Sequence, residues 1–304
     1  MLIALLSAKP ITDETLKFLI SKKLDLINGM QMAVGKTQQD VITFPIDYPA
    51  SVMSLSRSMS ISDAIIFIVN EEISSLDAEL ALAIEYSHIS TGKIIFTESS
   101  DISSFHKFFN TYKLGGFETV KLGENIIFDS KESTMPSSYV SIDKHFIVKG
   151  IGNVILGFNL GASIKKGDKM FLLPSLKETT IKSIQIMDVD STMAKYGTHV
   201  GLALNNVNEV DLENNYAISS VKELSDSFNC EISTSSFYKS DPFTSKGVST
   251  AILGKNFLVS LSAPDNKVRA KFNKPIIKYR DKNFLFDSSL PAGKNRVIGG
   301  IRLL

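Results

Sequence analysis

The chain predicts a multi-domain fold: an N-terminal α/β region with a mostly parallel sheet, followed by two antiparallel β-barrels. Three observations carry that prediction. Strand and helix signals alternate through residues 1–130, the pattern of a sheet covered on both faces. Between His145 and Ser219, short strands of period-2 alternation recur at roughly ten-residue spacing, punctuated by Gly and Asn. Beyond Phe228 a second series of short strands runs to the C-terminus. The expected divisions are 1–138, 139–224 and 225–304. Polar, aperiodic Ser130-Lys131-Glu132-Ser133-Thr134-Met135-Pro136-Ser137-Ser138 marks the first boundary, and a segment near Val221 to Ser227 marks the second.

In the first part, apolar Leu2 to Leu6 reads as a buried strand, since it lacks a basic n-region and ends at Lys9-Pro10. Thr12 is placed to N-cap a helix whose first turn holds Asp13 and Glu14. Val41 to Phe44, Ala64 to Val69 and Lys93 to Phe96 read as further strands. Ser74 or Ser75 with Asp77 opens a helix bearing Leu76, Leu80, Ala83 and Ile84 on one face.

In the second part, His145 to Lys149 and Val154 to Phe158 flank Gly150 and Gly152, whose spacing predicts a bulge or sharp bend. Lys165 to Asp168 form a polar turn before Lys169 to Leu173. The run Thr180 to Met187 puts Ile184 and Ile186 on one face and Ser183, Gln185 and Met187 on the other. In the third part, Phe228 to Ser233, Val248 to Leu253, Asn256 to Leu261, Lys267 to Phe272, Lys278 to Phe286 and Arg296 to Leu303 read as strands.

The 304 residues, 43% hydrophobic and 21% charged, describe a globular protein and not a disordered one. No apolar run approaches the roughly 20 residues of a membrane span, and a cytoplasmic protein is expected. The single cysteine, Cys230, excludes an internal disulfide and any Cys-based zinc site. The net charge of +1 hides an asymmetry: residues 1–138 sum to −6, residues 139–240 to −1 and residues 241–304 to +8. A basic C-terminal third points to a polyanion partner. Alternation would place Lys267, Arg269 and Lys271 on one strand face, with Lys278 and Arg280 close behind.

Gly150-Ile151-Gly152-Asn153-Val154-Ile155-Leu156-Gly157, then Gly167-Asp168, Ser183-Ile184-Gln185 and Gly197-Thr198-His199-Val200-Gly201-Leu202 stand in a telling order. Over some seventy residues this stretch resembles the second domain of the elongation factor Tu-like translational GTPases, in particular the SelB-like branch. The final Arg296 to Leu303 is similar to the closing strand of that family's third domain. The resemblance implies a P-loop GTPase-like first domain and two barrels.

The first domain departs from that pattern where it should hold nucleotide. A P-loop needs Gly-x-x-x-x-Gly-Lys-Ser/Thr after the first strand, so that backbone N–H groups and one Lys cradle phosphates. Here Ser7 to Glu14 has no glycine, Pro10 removes an N–H donor, and acidic Asp13-Glu14 occupies the Lys-Thr position; only Lys9 offers compensation. Gly35-Lys36-Thr37 has the wrong spacing and precedes the next strand. Asp47-Tyr48-Pro49-Ala50-Ser51 stands where the family has Asp-x-Pro-Gly-His, leaving Asp47 and the Ala50 N–H. Glu98-Ser99-Ser100-Asp101 stands where the family reads guanine, leaving Asp101. These losses predict a pseudo-GTPase with no catalytic residue, cofactor or metal.

The resemblance also assigns a pocket for the 3′ end of aminoacyl-tRNA. Asp143 falls where the family places an acid near the aminoacyl amino group, Lys144 replaces an acid, and Phe146 falls at an aromatic position. Gly152 belongs to the same glycine signature. Gln185 stands where a Glu accepts from the terminal ribose, and His199 and Met187 stand at polar pocket positions. Asn214-Asn215 replaces Arg-Gly. The expected partners are tRNA or ribosomal RNA and proteins of the translation apparatus, with no DNA and no membrane. The alternatives are a protein-binding regulatory scaffold and an elongation factor with a divergent GTP site.

Overall fold

The computed structural model describes residues 1–27, 29–36, 40–129 and 135–304. Residues 130–134 of the expected linker, and Thr37 of the Gly35-Lys36-Thr37 segment, lie outside the described residues. The first third contains β1 (Leu2–Ser7), α1 (Asp13–Leu19), β2 (Ile20–Ile27), β3 (Met30–Gly35), β4 (Val41–Pro45), α2 (Val52–Ile61), β5 (Ala64–Val69), α3 (Ser75–Tyr86), β6 (Gly92–Phe96), α4 (Ile102–Phe109) and β7 (Glu118–Lys121). These strands form one sheet in the order β2-β3-β4-β1-β5-β6-β7. From β4 to β7 every pairing is parallel, and the near-continuous apolar runs of β1 and β5 suit strands covered on both faces.

Thr12 caps α1 by accepting from the Thr15 N–H at 3.2 Å, and Ser74 with Asp77 forms a capping box at α3. Helix α4, strand β7 and two further features were not read from the sequence. The antiparallel β2–β3 hairpin extends the sheet at its edge. Gly29 at its turn has φ +75, and a Cβ there would stand 1.9 Å from the Asp47 carboxylate. Helix α2 carries Ser54, Ser56, Ser58 and Ser60, which hide its apolar period, yet all four are buried. Three of the hydroxyls have local partners: Ser54 and Ser60 donate to backbone carbonyls, and Ser58 pairs with Thr43 at 2.8 Å.

The middle third contains β8 (Tyr139–Ser141), β9 (Lys144–Val148), β10 (Gly152–Phe158), β11 (Ile164–Lys165), β12 (Lys169–Leu173), β13 (Glu178–Ile186), β14 (Val189–Ser191), β15 (Met193–Ala194), β16 (His199–Asn205), α5 (Glu209–Asn214) and β17 (Ala217–Ser219). Its antiparallel sheet runs β8-β17-β12-β13-β16-β10-β9, with β14 on β13, while β11 and β15 pair separately. A Val140–Asn159 bridge and a 2.7 Å bond from the Leu160 N–H to the Tyr139 carbonyl bring β8 back to the end of β10.

Local geometry settles one alternative and corrects one expectation here. Of the bulge and the sharp bend, the bend is what forms: Gly150 lies in the hairpin turn between β9 and β10 and Gly152 opens β10, with the Ile151 N–H donating to the Val148 carbonyl at 3.0 Å. Met187 leaves the strand: Met187 and Asp188 have φ of 50 and 66 and make the turn into β14. Asn215 closes α5 in an extended conformation, with φ −115.

The last third is a closed barrel of β18 (Ser225–Thr234), β19 (Val248–Ile252), β20 (Lys255–Ser262), β21 (Arg269–Ile276), β22 (Lys282–Asp287) and β23 (Val297–Leu303), in the order β18-β21-β20-β19-β22-β23. Strand β18 closes the ring by pairing with both β21 and β23. Cys230 is a buried core residue of this barrel. Helix α2 packs on β19, and α3 packs on β22 and β23, so Phe284, Phe286 and Val297 of the barrel share a core with Leu55, Met59 and Leu80. Among the described residues, no helix is long and apolar enough to cross a membrane.

Candidate nucleotide and RNA-binding site

The carboxyl ends of β1, β5 and β6 are where an open parallel sheet receives a ligand. Short polar side chains lace these ends together. Asn70 donates to the Ser7 hydroxyl at 3.0 Å, and Ser100 donates to the Val69 carbonyl at 2.6 Å. Lys9 is exposed on the loop before α1, and its charge is felt by Asp77 of α3. Asp47 lies over Gly29, and Ala50 is exposed in the turn ahead of α2. Asp101 caps α4 by accepting from Ser104 at 2.9 Å, which holds its carboxyl below the usual range. Among the described residues, no hydrogen bond or ion pair joins any two of Lys9, Asp47, Ala50 and Asp101.

A cleft of 770 Å³ opens between the β2–β3 hairpin and the middle sheet. Gln185, His199 and Met187 all line it, together with Lys22, Lys23, Asp25 and Lys195. Gln185 is fixed by donating through Nε2 to Asp190 at 2.9 Å across the β13–β14 hairpin. The His199 ring packs against Phe158, centroids 4.9 Å apart and tilted by 54°, and its Nε2 is enclosed without a hydrogen-bond partner among the described residues. Burial lowers its pKa to about 4; nearby Lys144 acts in the same direction and Asp25 opposes it.

The other residues assigned to this pocket do not line the cleft. Asp143 faces Lys255 of the barrel; burial pushes its carboxyl up to about 6 against the pull of that lysine, and its Oδ2 is enclosed without a hydrogen-bond partner. Lys144 is exposed on β9, opposite Leu156 of the cleft wall. Phe146 is 40% exposed on the same strand. Gly152 has φ +108 in an open turn, a conformation that serves the hairpin. Lys22, Lys23 and Lys195 were missed because they reach the cleft from distant elements; the signal for the hairpin is Asn28-Gly29, a dipeptide that favours tight turns.

On the barrel, Arg269 and Lys271 are exposed on β21 while Ala270 and Phe272 point into the core. Lys267 is exposed but precedes the strand, following a short 3-10 turn at Pro264–Asn266. Lys278 is also exposed. Arg280 is withdrawn from this patch. Its Nη2 donates to Asp63 at 3.2 Å and to the Tyr196 hydroxyl at 2.9 Å, and its side chain is 11% exposed.

No family model matches the chain. An uncharacterised protein of Methanocaldococcus jannaschii is 28% identical over 182 residues, covering 58% of this chain and 58% of that protein. A selenocysteine-specific elongation factor of the same organism is 38% identical over 63 residues, covering 21% of this chain and 13% of that protein. The chain thus spans less than two thirds of either relative. Among solved structures, the translation elongation factor SelB of Methanococcus maripaludis in complex with the GTP analogue GppNHp superposes with TM-score 0.75 at 16% identity, covering 99% of this chain and 78% of that one. A bacterial selenocysteine-specific elongation factor, EF-Sec, superposes with TM-score 0.69 at 16% identity, covering 99% of this chain and 57% of that one. Along nearly its whole length, the chain is similar to the SelB translation elongation factors and has their fold.

Proposed function

We propose that this protein is a SelB-like translation protein that holds the 3′ end of tRNA, or of another translation-associated RNA, without hydrolysing GTP. On this reading it has three domains, a degenerate G-like domain and two barrels, with boundaries near residues 138 and 224. The observation that carries the reading is the cleft: Gln185 and His199, two of the residues that the family pattern assigns to an RNA terminus, converge in it beside Lys22, Lys23 and Lys195. Lysines at the rim of a polar cleft attract phosphate, and an amide oxygen accepts from a ribose hydroxyl. The exposed Lys267, Arg269 and Lys271 offer a second, sequence-independent contact to backbone.

The test is a filter-binding salt titration with bulk tRNA. Three phosphate contacts to a duplex stem give a slope of log affinity against log salt of roughly −3 from the basic strand. Replacing Lys267, Arg269 and Lys271 by Ala should flatten the slope by about that amount. If the wild type does not bind at low salt, the RNA reading fails.

The competing reading, a protein-binding scaffold, draws on an apolar groove of 480 Å³ between α3, the end of α4 and the barrel. Phe108 and Phe237 line it and are 54% and 55% exposed. That reading leads if RNA binding fails.

A further inference from the structure

Outside the cleft, among the described residues, one group of metal-ligating side chains converges without any described polar contact. We propose that His145, Glu209 and Glu213 bind a divalent transition-metal cation. Glu209 and Glu213 are four residues apart on α5, so they rise from one face of the helix. Helix α5 packs against β9, which brings in His145. One imidazole nitrogen and one oxygen from each carboxylate lie within 4.8 Å of one another.

The chemistry of the donors narrows the ion. Mg²⁺ and Ca²⁺ take oxygen ligands, whereas an imidazole with two carboxylates suits Zn²⁺ and its neighbours in the first transition row. Bonds of about 2.0–2.2 Å require the donor atoms to draw in by roughly 1 Å. Both glutamates are exposed, and that movement costs them only rotamer freedom.

Electrostatics points the same way. Like charges at this spacing on a helix repel each other. The third acid of α5, Asp211, is neutralised by Lys177. Among the described residues, no hydrogen bond or ion pair engages Glu209, Glu213 or His145 through its side chain. A cation would convert a repulsive pair into a cross-link between α5 and β9. Because strand side chains alternate, His145 lies on the opposite face from Lys144 and Phe146. The cross-link would therefore clamp the edge strand that carries those two residues.

The experiment uses the full chain, stripped with a chelator and titrated with Co²⁺, whose visible ligand-field absorption reports coordination. The expected result is one equivalent bound at micromolar or tighter affinity, displaced by Zn²⁺. His145→Ala and Glu213→Gln should each weaken binding by about tenfold or more, since loss of an outer-shell partner alone already costs that much. His106→Ala, at an exposed histidine bonded to Asn110, should leave binding unchanged. Circular dichroism checks the fold of each variant, and exposed Glu213 makes Glu213→Gln the substitution least able to disturb it. Absence of stoichiometric binding overturns the proposal. So does binding that both variants leave intact.

Discussion

Arg296 grips both carboxylate oxygens of Glu79, with Nε 3.0 Å from Oε1 and Nη2 2.6 Å from Oε2, in a pair whose side chains are 1% and 2% exposed. Tyr48 adds a bond to Glu79 at 3.1 Å, and Arg296 reaches through Nη1 to the Pro49 carbonyl at 2.8 Å. The turn from Asp47 to Ser51 is therefore bolted to α3 and to the barrel. Removing one member of such a pair strands the other as a buried charge, which costs about 3–5 kcal/mol, whereas an apolar pair of similar volume can be nearly neutral. Arg296→Met should lower the urea midpoint sharply, and Glu79→Leu added to it should recover most of the loss. An unchanged midpoint for the single variant would show that the pair is dispensable.

The half-buried His199 ring predicts a pH dependence. Its folded pKa of about 4 lies below the ordinary 6.5, so the unfolded chain takes up the proton first as pH falls. The stability it contributes is complete above pH 6.5 and is lost between 6.5 and 4. Asp143 acts with the opposite sign. Its folded pKa of about 6 stands above 3.8, so its contribution grows as pH falls through that interval. The two partly cancel in the wild type, and a variant is needed to separate them. His199→Gln should gain on the wild type by about 1–3 kcal/mol between pH 7.5 and pH 4.5, measured by denaturant unfolding. A difference that does not move with pH would mean that the ring is solvated.

Nucleotide binding is expected to be absent. The segment after β1 presents Asp13 and Glu14, the first residues of α1, where a phosphate cradle needs a lysine, and it has no glycine to bring backbone N–H groups close. Calorimetry with GTP and magnesium should show no binding in the low micromolar range. A dissociation constant at or below that range would restore the divergent-GTPase alternative.

In the cleft, Gln185→Ala should weaken binding of an RNA 3′ terminus about fivefold, the worth of one neutral hydrogen bond near 1 kcal/mol. The loss should vanish when the terminal ribose is a 2′-deoxy sugar. Equal weakening for both sugars would place Gln185 in a purely structural role through Asp190.

The strands were the most legible part of this chain. β19 to β23 announce themselves by alternation, and Ser74 with Asp77 announces α3. Helix α2 was hidden because four buried serines, two of which bond back to the backbone, interrupt its apolar stripe of Val52, Leu55 and Met59. Arg280 looked like part of a basic strand because a charge pattern cannot reveal a partner 217 positions away. The cleft was legible only in half: Gln185 and His199 stood out through a family pattern, while Lys22 and Lys23 arrive on a hairpin with no such signature.

Asp63 precedes β5, Tyr196 precedes β16 and Arg280 precedes β22, yet the Tyr196 hydroxyl donates to Asp63 at 2.5 Å and Arg280 donates to both. One knot thus takes a strand from each third of the sequence. During synthesis, Asp63 leaves the ribosome long before Arg280 exists. A nascent chain that stops short of Arg280 lacks the arginine that balances this buried carboxylate, so the N-terminal sheet reaches its full native strength only as the last barrel emerges.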